Sequence, residues 1–445
     1  MSLAGRGVRR LVAARHEELR ALATRSAQVV LAAAVVGAVT GLGVAGIERI
    51  VVDGGLRAVR AGPLWVMAAA PCAGLLLAAV MLRTVGRGAS PATADEYLRA
   101  FHDPRDELTW RELVARITAS IATLGLGGAM GLEGPSLYLG ATFGAQTQRR
   151  LPRVFRNADR RVLMTAGAAA GVAAIFKAPA TGAIFALEVP YQDDLARRML
   201  LPALVGSAVS YLAFVAVNGT EPLFPIVGNP GFDFRDLAGA AALGVAAGLA
   251  ARVFAFLLRR AKRVQGRTRP GFRVLGAGVT LAAIFATGWA LTGESLTIGP
   301  GYDAIDWALD PSHATWLVIA VLGLRCAATV ATVAGGGAGG LFIPLVVAGA
   351  LLGRAVGGAV HALDTSLFVV VGVSAFLGAG YRVPLAAVMF VAETTGRPGF
   401  VVPGLLAAVT AELMMGRSSV TTYQATANRD EGSMNGNGDG AEPPP

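Results

Sequence analysis

Glu133 is the residue of this chain best placed to do chemistry. It lies in Gly127-Gly128-Ala129-Met130-Gly131-Leu132-Glu133-Gly134-Pro135-Ser136, one carboxylate inside a long apolar, glycine-rich region. The glycines before it allow a broken backbone. Gly134, Pro135 and the apolar run 137–145 after it read as a helix start, because proline in a first helical turn gives up an N–H that would be unpaired anyway. Such an end carries unsatisfied N–H groups and a partial positive charge, which attract anions. Glu133 therefore competes for the site its own surroundings build: ionised, it fills the anion position, and protonated or swung away, it vacates it. A carboxylate at the membrane centre costs about 2.5–3.5 kcal/mol on insertion scales, so a gate accounts for it better than a cap that serves stability alone.

A second stretch repeats the arrangement. Gly335-Gly336-Gly337-Ala338-Gly339-Gly340 leads into Leu341, Phe342, Ile343 and Pro344, and the pairs Pro135/Pro344, Gly140/Gly349 and Gly144/Gly353 share an offset of 209 residues. Further on, Phe176-Lys177-Ala178-Pro179 with Glu188 matches Tyr381-Arg382-Val383-Pro384 with Glu393 at an offset of 205. Interrupted helices at matching positions of two halves point to a transport site near the bilayer midplane. The candidate anion-binding residues are Gly131, Gly134 and Pro135 from the first copy and Gly340, Leu341, Phe342, Ile343 and Pro344 from the second. The repeat alone is compatible with parallel or inverted halves. Glu188 and Glu393 read equally well as polar helix ends and as conduction residues. Lys177 and Arg382 read as interfacial anchors in preference to vestibule charges. Arg325, a lone charge in a span, either steers anions or pairs with a buried acceptor.

The elements that must position these residues are membrane helices. Charged residues make up 15% of the 445 residues and apolar ones 54%, against about 25% charged in a soluble protein. Runs such as 29–47 and 199–217 reach the length of about 20 residues needed to cross the hydrocarbon layer. The net charge of +10 comes mostly from arginines in connecting segments, notably 149–161 and 259–263, which suits the positive-inside tendency and not nucleic-acid binding. Residues 1–26 are expected to form an amphipathic helix on the cytoplasmic surface, 27–423 the transmembrane domain with halves at about 27–218 and 234–420, and 424–445 a disordered tail. Spans are expected near 27–52, 64–84, 110–127, 199–217, 235–259, 272–292 and 314–333. Further helices are expected near 135–148, 162–175, 180–190, 342–361, 366–379, 384–395 and 400–416, with a polar interruption at 85–109 that carries a short helix to His102 and a polar loop at 293–312. Pieces too short to cross belong where protein or a cavity surrounds them. Cys72 and Cys326 lie in apolar runs and read as small hydrophobes. The four histidines have no metal-ligand spacing, and no zincin, P-loop or nucleophile-elbow pattern occurs, so neither a metal, a cofactor nor an enzymatic activity is expected.

These motifs resemble the CLC family of chloride channels and proton-coupled chloride transporters. Gly131-Leu132-Glu133-Gly134-Pro135 is similar to the family's G-[KR]-E-G-P, with Leu132 in the basic position. Gly340-Leu341-Phe342-Ile343-Pro344 fits G-x-F-x-P, and Phe176-Lys177-Ala178-Pro179 with Leu187-Glu188 fits F-x-A-P…E. The resemblance covers about residues 27–420. It implies an all-helical polytopic fold of two inverted repeats, whose broken and re-entrant helices meet at a central anion site, and a homodimer with one pore per subunit in the bacterial inner membrane. It also exposes departures. The family's pore serine falls on Ala92, with Ser90 and Thr93 as neighbouring hydroxyls. The pore tyrosine falls on Val420, with Tyr423 three residues on. The internal proton glutamate of the coupled members falls on Val189, so Glu188 is not that residue.

The reading from sequence is a chloride channel, or an anion transporter without proton coupling, gated by Glu133. Its alternatives are a proton-coupled chloride antiporter and a cation-coupled solute transporter that uses Glu133, Glu188 and Glu393 as cation ligands. The chain ends without the cytoplasmic nucleotide-sensing domains some relatives append, so regulation by that route is not expected.

Overall fold

The computed structural model describes residues 3–103, 105–152, 155, 159–221, 223–224, 232–359 and 366–426, with the backbone alone for residues 3–25. The tail predicted for 424–445 thus lies almost wholly outside the described residues. The first half consists of α1 (Leu3–Glu48), a π-helical stretch (Arg49–Leu56), α2 (Arg57–Arg60), α3 (Leu64–Thr84), α4 (Thr93–His102), α5 (Trp110–Gly125), α6 (Glu133–Arg150), α7 (Val162–Phe176), α8 (Pro179–Glu188) and α9 (Leu200–Asn218). The second half consists of α10 (Phe234–Arg267), α11 (Pro270–Thr292), α12 (Tyr302–Leu309), α13 (Thr315–Gly335), α14 (Phe342–Ala359), α15 (Ser366–Tyr381), α16 (Pro384–Thr395) and α17 (Val401–Met415). Among the described residues, eight stretches are long and apolar enough to cross a membrane.

Three elements depart from expectation. Helix α5, expected near 110–127 as a span, has 16 residues and is not among the eight membrane-capable stretches. The surface helix and the first span are one uninterrupted helix, α1, since no glycine or proline between Gly7 and Gly37 breaks it. Within the loop 293–312, α12 forms over only eight residues, too few for a helical period to show in the sequence.

The halves pack alike. Helix α6 lies on α7 as α14 lies on α15, α7 on α9 as α15 on α17, α1 on α9 as α10 on α17, and α3 on α5 as α11 on α13. Helices α7 and α15, 15 and 16 residues long, are buried on all sides, as an apolar helix too short to span must be.

Reciprocal bonds show that the repeats are inverted. Repeat-related residues Gly131 and Gly340 exchange backbone bonds, Gly131 N–H to Gly340 O at 2.9 Å and Gly340 N–H to Gly131 O at 2.7 Å, as an antiparallel bridge. Thr332 Oγ1 accepts from the Ala129 N–H at 3.2 Å, and its counterpart Thr123 Oγ1 accepts from the Ala338 N–H at 3.1 Å. At the last turn of α16, the Glu393 carboxylate accepts from the N–H groups of Ala180 and Thr181 at the start of α8, at 2.9 and 2.7 Å. Glu188, ending α8, does the same for Leu385 and Ala386 at the start of α16, at 3.2 and 2.9 Å. Each helix end caps the other's beginning, so α8 and α16 run antiparallel across a pseudo-twofold axis.

The turns before these two helices also match. Lys177 and Arg382 both adopt a left-handed backbone, with φ of 53° and 58°. Each ends its helix and turns the chain into Ala178 or Val383, which leave the helical region (ψ of 84° and 61°), as the proline that follows demands.

Glu393→Ala would leave the start of α8 without its acceptor. It is expected to destabilise the fold by about 3 kcal/mol, the range for hydrogen bonds to a charged group, seen as a lower midpoint in detergent-phase thermal unfolding, and Glu188→Ala should act in the same direction.

Candidate functional site

The site grows from the starts of α6 and α14. Leu132 and Leu341 precede the first helical residues, and Pro135 and Pro344 fall in the first turns, where the amides of Ser136 and Leu345 close back on the Leu132 and Leu341 carbonyls at 3.0 and 3.1 Å. The Gly131–Gly340 bridge brings the two helix starts face to face. Glu133 fills the space between them. Its Oε1 accepts from the Phe342 N–H at 2.6 Å, the amides of Glu133 and Ile343 face the same carboxylate, and the residue is only 3% exposed. Its Oε2 is buried with no hydrogen-bond partner among the described residues.

Glycine is required at two positions here. A methyl group on Gly131 or Gly340 would overlap the Glu133 carboxylate, and on Gly340 it would also press on the Gly134 backbone. The Phe342 ring seals one flank, 4.3 Å from Phe176, 5.3 Å from Phe185 and 5.0 Å from Phe390, centroid to centroid. Phe185 and Phe390 share the 205-residue offset, and so do Phe176 and Tyr381. This wall keeps water from the amides, so their partial charges act with little screening.

A small cavity of about 40 Å³ backs onto Gly340 and Leu341, lined also by Thr93, Tyr381, Val420 and Lys262, with room for a few water-sized particles. Thr93 is buried, and its hydroxyl reaches the Gly339 carbonyl at 3.4 Å. Val420 is buried in the wall as an apolar residue. Ser90 and Tyr423 do not line this cavity. The Ser90 hydroxyl turns back to accept from the Ala92 N–H at 3.2 Å. Tyr423 is 42% exposed, carried outward because the chain before it is tied down at Thr422. Val189 is buried at the end of α8, and its carbonyl accepts from Gln424 at 3.0 Å.

Sequence reasoning passed over Tyr381. Its side chain lines the cavity, its ring lies 6.3 Å from Phe342, and the Leu341 amide faces its hydroxyl. The available signal was the repeat, where Tyr381 is the polar counterpart of Phe176.

Two buried arginines brace the loops that carry the site. Arg325 donates to the carbonyls of Leu296, Gly299 and Pro300 at 3.3, 3.1 and 2.6 Å. Its counterpart Arg116, also passed over, donates to the Ser90 carbonyl at 3.0 Å and to the Tyr138 hydroxyl. Ser90 and Gly299 share the 209-residue offset. Of the two roles weighed for Arg325, pairing with buried acceptors is the one the bonds support. Arg382 holds Asp193 at 2.8 Å and the Gly416 carbonyl, and Lys177 the Glu221 carbonyl at 2.9 Å, so both anchor loops.

Residues 73–416 match the family described as Voltage gated chloride channel. The chain belongs to this family, the CLC family. This CLC protein is 30% identical over 407 residues, 85% of its length and 90% of the relative's, to a Ralstonia nicotianae protein provisionally named a ClcB-like chloride channel protein. It is 26% identical over 327 residues, 71% of its length and 68% of the relative's, to the H(+)/Cl(-) exchange transporter ClcA of Klebsiella pneumoniae. Its fold is similar to that of a slow cyanobacterial Cl-/H+ antiporter, with a TM-score of 0.75 and 20% identity over 87% of this chain and 94% of the other. A CLC-type fluoride/proton antiporter gives a TM-score of 0.77 and 21% identity over 90% and 98%. With eight membrane-capable helices among the described residues and bacterial relatives, the CLC protein is a multi-pass protein of the inner membrane.

Arg325→Met would strand three buried carbonyls. It is expected to cost about 2–3 kcal/mol, the penalty for buried acceptors left unpaired, read as a lower thermal midpoint of the purified protein. A variant that folds normally and loses only anion flux would instead make Arg325 a steering residue.

Proposed function

We propose that this CLC protein moves chloride, or a similarly small anion, across the bacterial inner membrane in exchange for protons, with Glu133 serving both ions. One observation carries the reading: the Glu133 carboxylate sits on the Phe342 amide between two helix starts, where a free anion would sit, with its second oxygen unpartnered among the described residues. An anion that takes this place must displace the carboxylate. The displaced group then lies among apolar walls, where an unpaired charge is costly, and taking up a proton removes that cost. Anion entry and proton uptake thus become parts of one event. Chloride/proton exchange is also what the Klebsiella relative is named for, and antiporters are what the two similar structures are.

A channel or uncoupled transporter is the second reading, favoured by Val189, which stands where the resemblance implies an internal proton glutamate. The cation-coupled alternative loses support, because the Glu188 and Glu393 carboxylates are taken up by helix-start amides. A homodimer with one pathway per subunit belongs to the same proposal.

Purified protein in liposomes under a chloride gradient is expected to drive protons uphill. Glu133→Gln should abolish that proton movement, to the background of protein-free vesicles, while anion flux persists and loses its pH dependence. Anion flux without proton movement in the unaltered protein would establish the channel reading instead.

A further inference from the structure

Two cavities meet at Lys262, in the C-terminal part of α10 where Arg259, Arg260 and Arg263 cluster. One is the small cavity behind Gly340. The other is a vestibule of about 630 Å³ whose lining includes Arg259, Arg263 and Arg417 and no acidic residue. Lys262 and Thr421 line both, so a particle passing between the two goes by the Lys262 ammonium.

That ammonium is engaged. Lys262 Nζ donates to Asp95 Oδ2 at 2.5 Å and to the Val420 carbonyl at 3.0 Å. Asp95, in the first turn of α4, also accepts from the Thr422 N–H at 3.1 Å. Arg259 holds the same segment from the other side, donating to the Ser419 carbonyl at 3.0 Å. The side chains of Lys262 and Asp95 are 21% and 8% exposed. Three arginines on the vestibule wall draw anions inward at long range. At the neck, the one whole positive charge that lines the inner cavity among the described residues is already matched by a carboxylate.

We propose that Lys262 is an anion-contacting residue at the neck between the vestibule and the inner cavity, and that Asp95 is its intramolecular rival. The proposal rests on the anion-transport reading above and adds to it a second contact point for the same small inorganic anion. An ammonium has three donors on a flexible stem, and Asp95 and Val420 take two of them. An arriving anion takes over the ammonium from Asp95, and the carboxylate reclaims it when the anion moves on. The rivalry keeps the neck from holding its cargo too tightly, which a conducting site requires. No covalent bond is made or broken, and Asp95 keeps its hydrogen bond to Thr422 throughout.

The test uses the full chain in liposomes, with chloride efflux followed over a series of chloride concentrations and thermal unfolding as a check on folding. Lys262→Met should raise the half-saturating chloride concentration about tenfold, as loss of one charge-assisted hydrogen bond would, with the maximal rate much less affected. Lys262→Arg should restore most of the affinity. Asp95→Asn should move the half-saturating concentration the opposite way, to lower values. If the pair is only a clamp, both substitutions shift flux and thermal midpoint in the same direction, and that result, or an unchanged Lys262→Met, overturns the neck assignment alone. An unaltered protein that carries no anion overturns the transport reading and the neck assignment with it.

Discussion

Two helices that begin at the same buried point impose the constraint from which the rest of this fold follows. Each start presents N–H groups without intrahelical partners and a partial positive charge. Bringing α6 and α14 together doubles both problems, and an acceptor must lie between them. In this structure the acceptor is the Glu133 carboxylate on the Phe342 amide. The Gly131–Gly340 exchange of backbone bonds sets the distance, and the absence of side chains at those two positions leaves space for the carboxylate. The aromatic wall around Phe342 then excludes water, so that partial charges suffice where a lysine or arginine would hold an anion too firmly.

The second half solves its local problems as the first does. Thr123 and Thr332 each take an amide from the opposite half. Glu188 and Glu393 each cap the start of the helix that carries the other. Arg116 and Arg325 each tie down the loop that precedes a short helix. The threonine and glutamate bonds join one half of the chain to the other, and the arginine bonds reach back 26 residues, so the broken helices are held by partners outside their own turns.

Much of this was legible because the relevant signals are local. The prolines and glycines of 127–136 and 335–344 mark helix starts by their backbone chemistry, and apolar length marks the spans. The repeat offsets placed Glu188 and Glu393 at equivalent positions, although only the fold shows that each reaches the other's helix. What stayed hidden depends on three-dimensional neighbours. Tyr381 is a buried aromatic residue in a sequence full of them, and its place in the cavity wall comes from the crossing of α15 against α14. Asp95 and Lys262 are 167 residues apart, and no local signal ties one to the other. Ser90 and Tyr423 were drawn in by counting along the chain, and counting does not show which way a hydroxyl turns.

Glu133 and Phe342 occupy matched positions of the repeat, at the 209-residue offset. A strictly symmetric pair of acids there would set two like charges against each other, and a pair of phenylalanines would leave the helix starts bare. The frame is therefore even-handed while its contents are not: one half bears the acid and the other supplies the amide that receives it. Any rectification of flow at this point must therefore be inscribed in side chains, because the two backbone starts that meet there match.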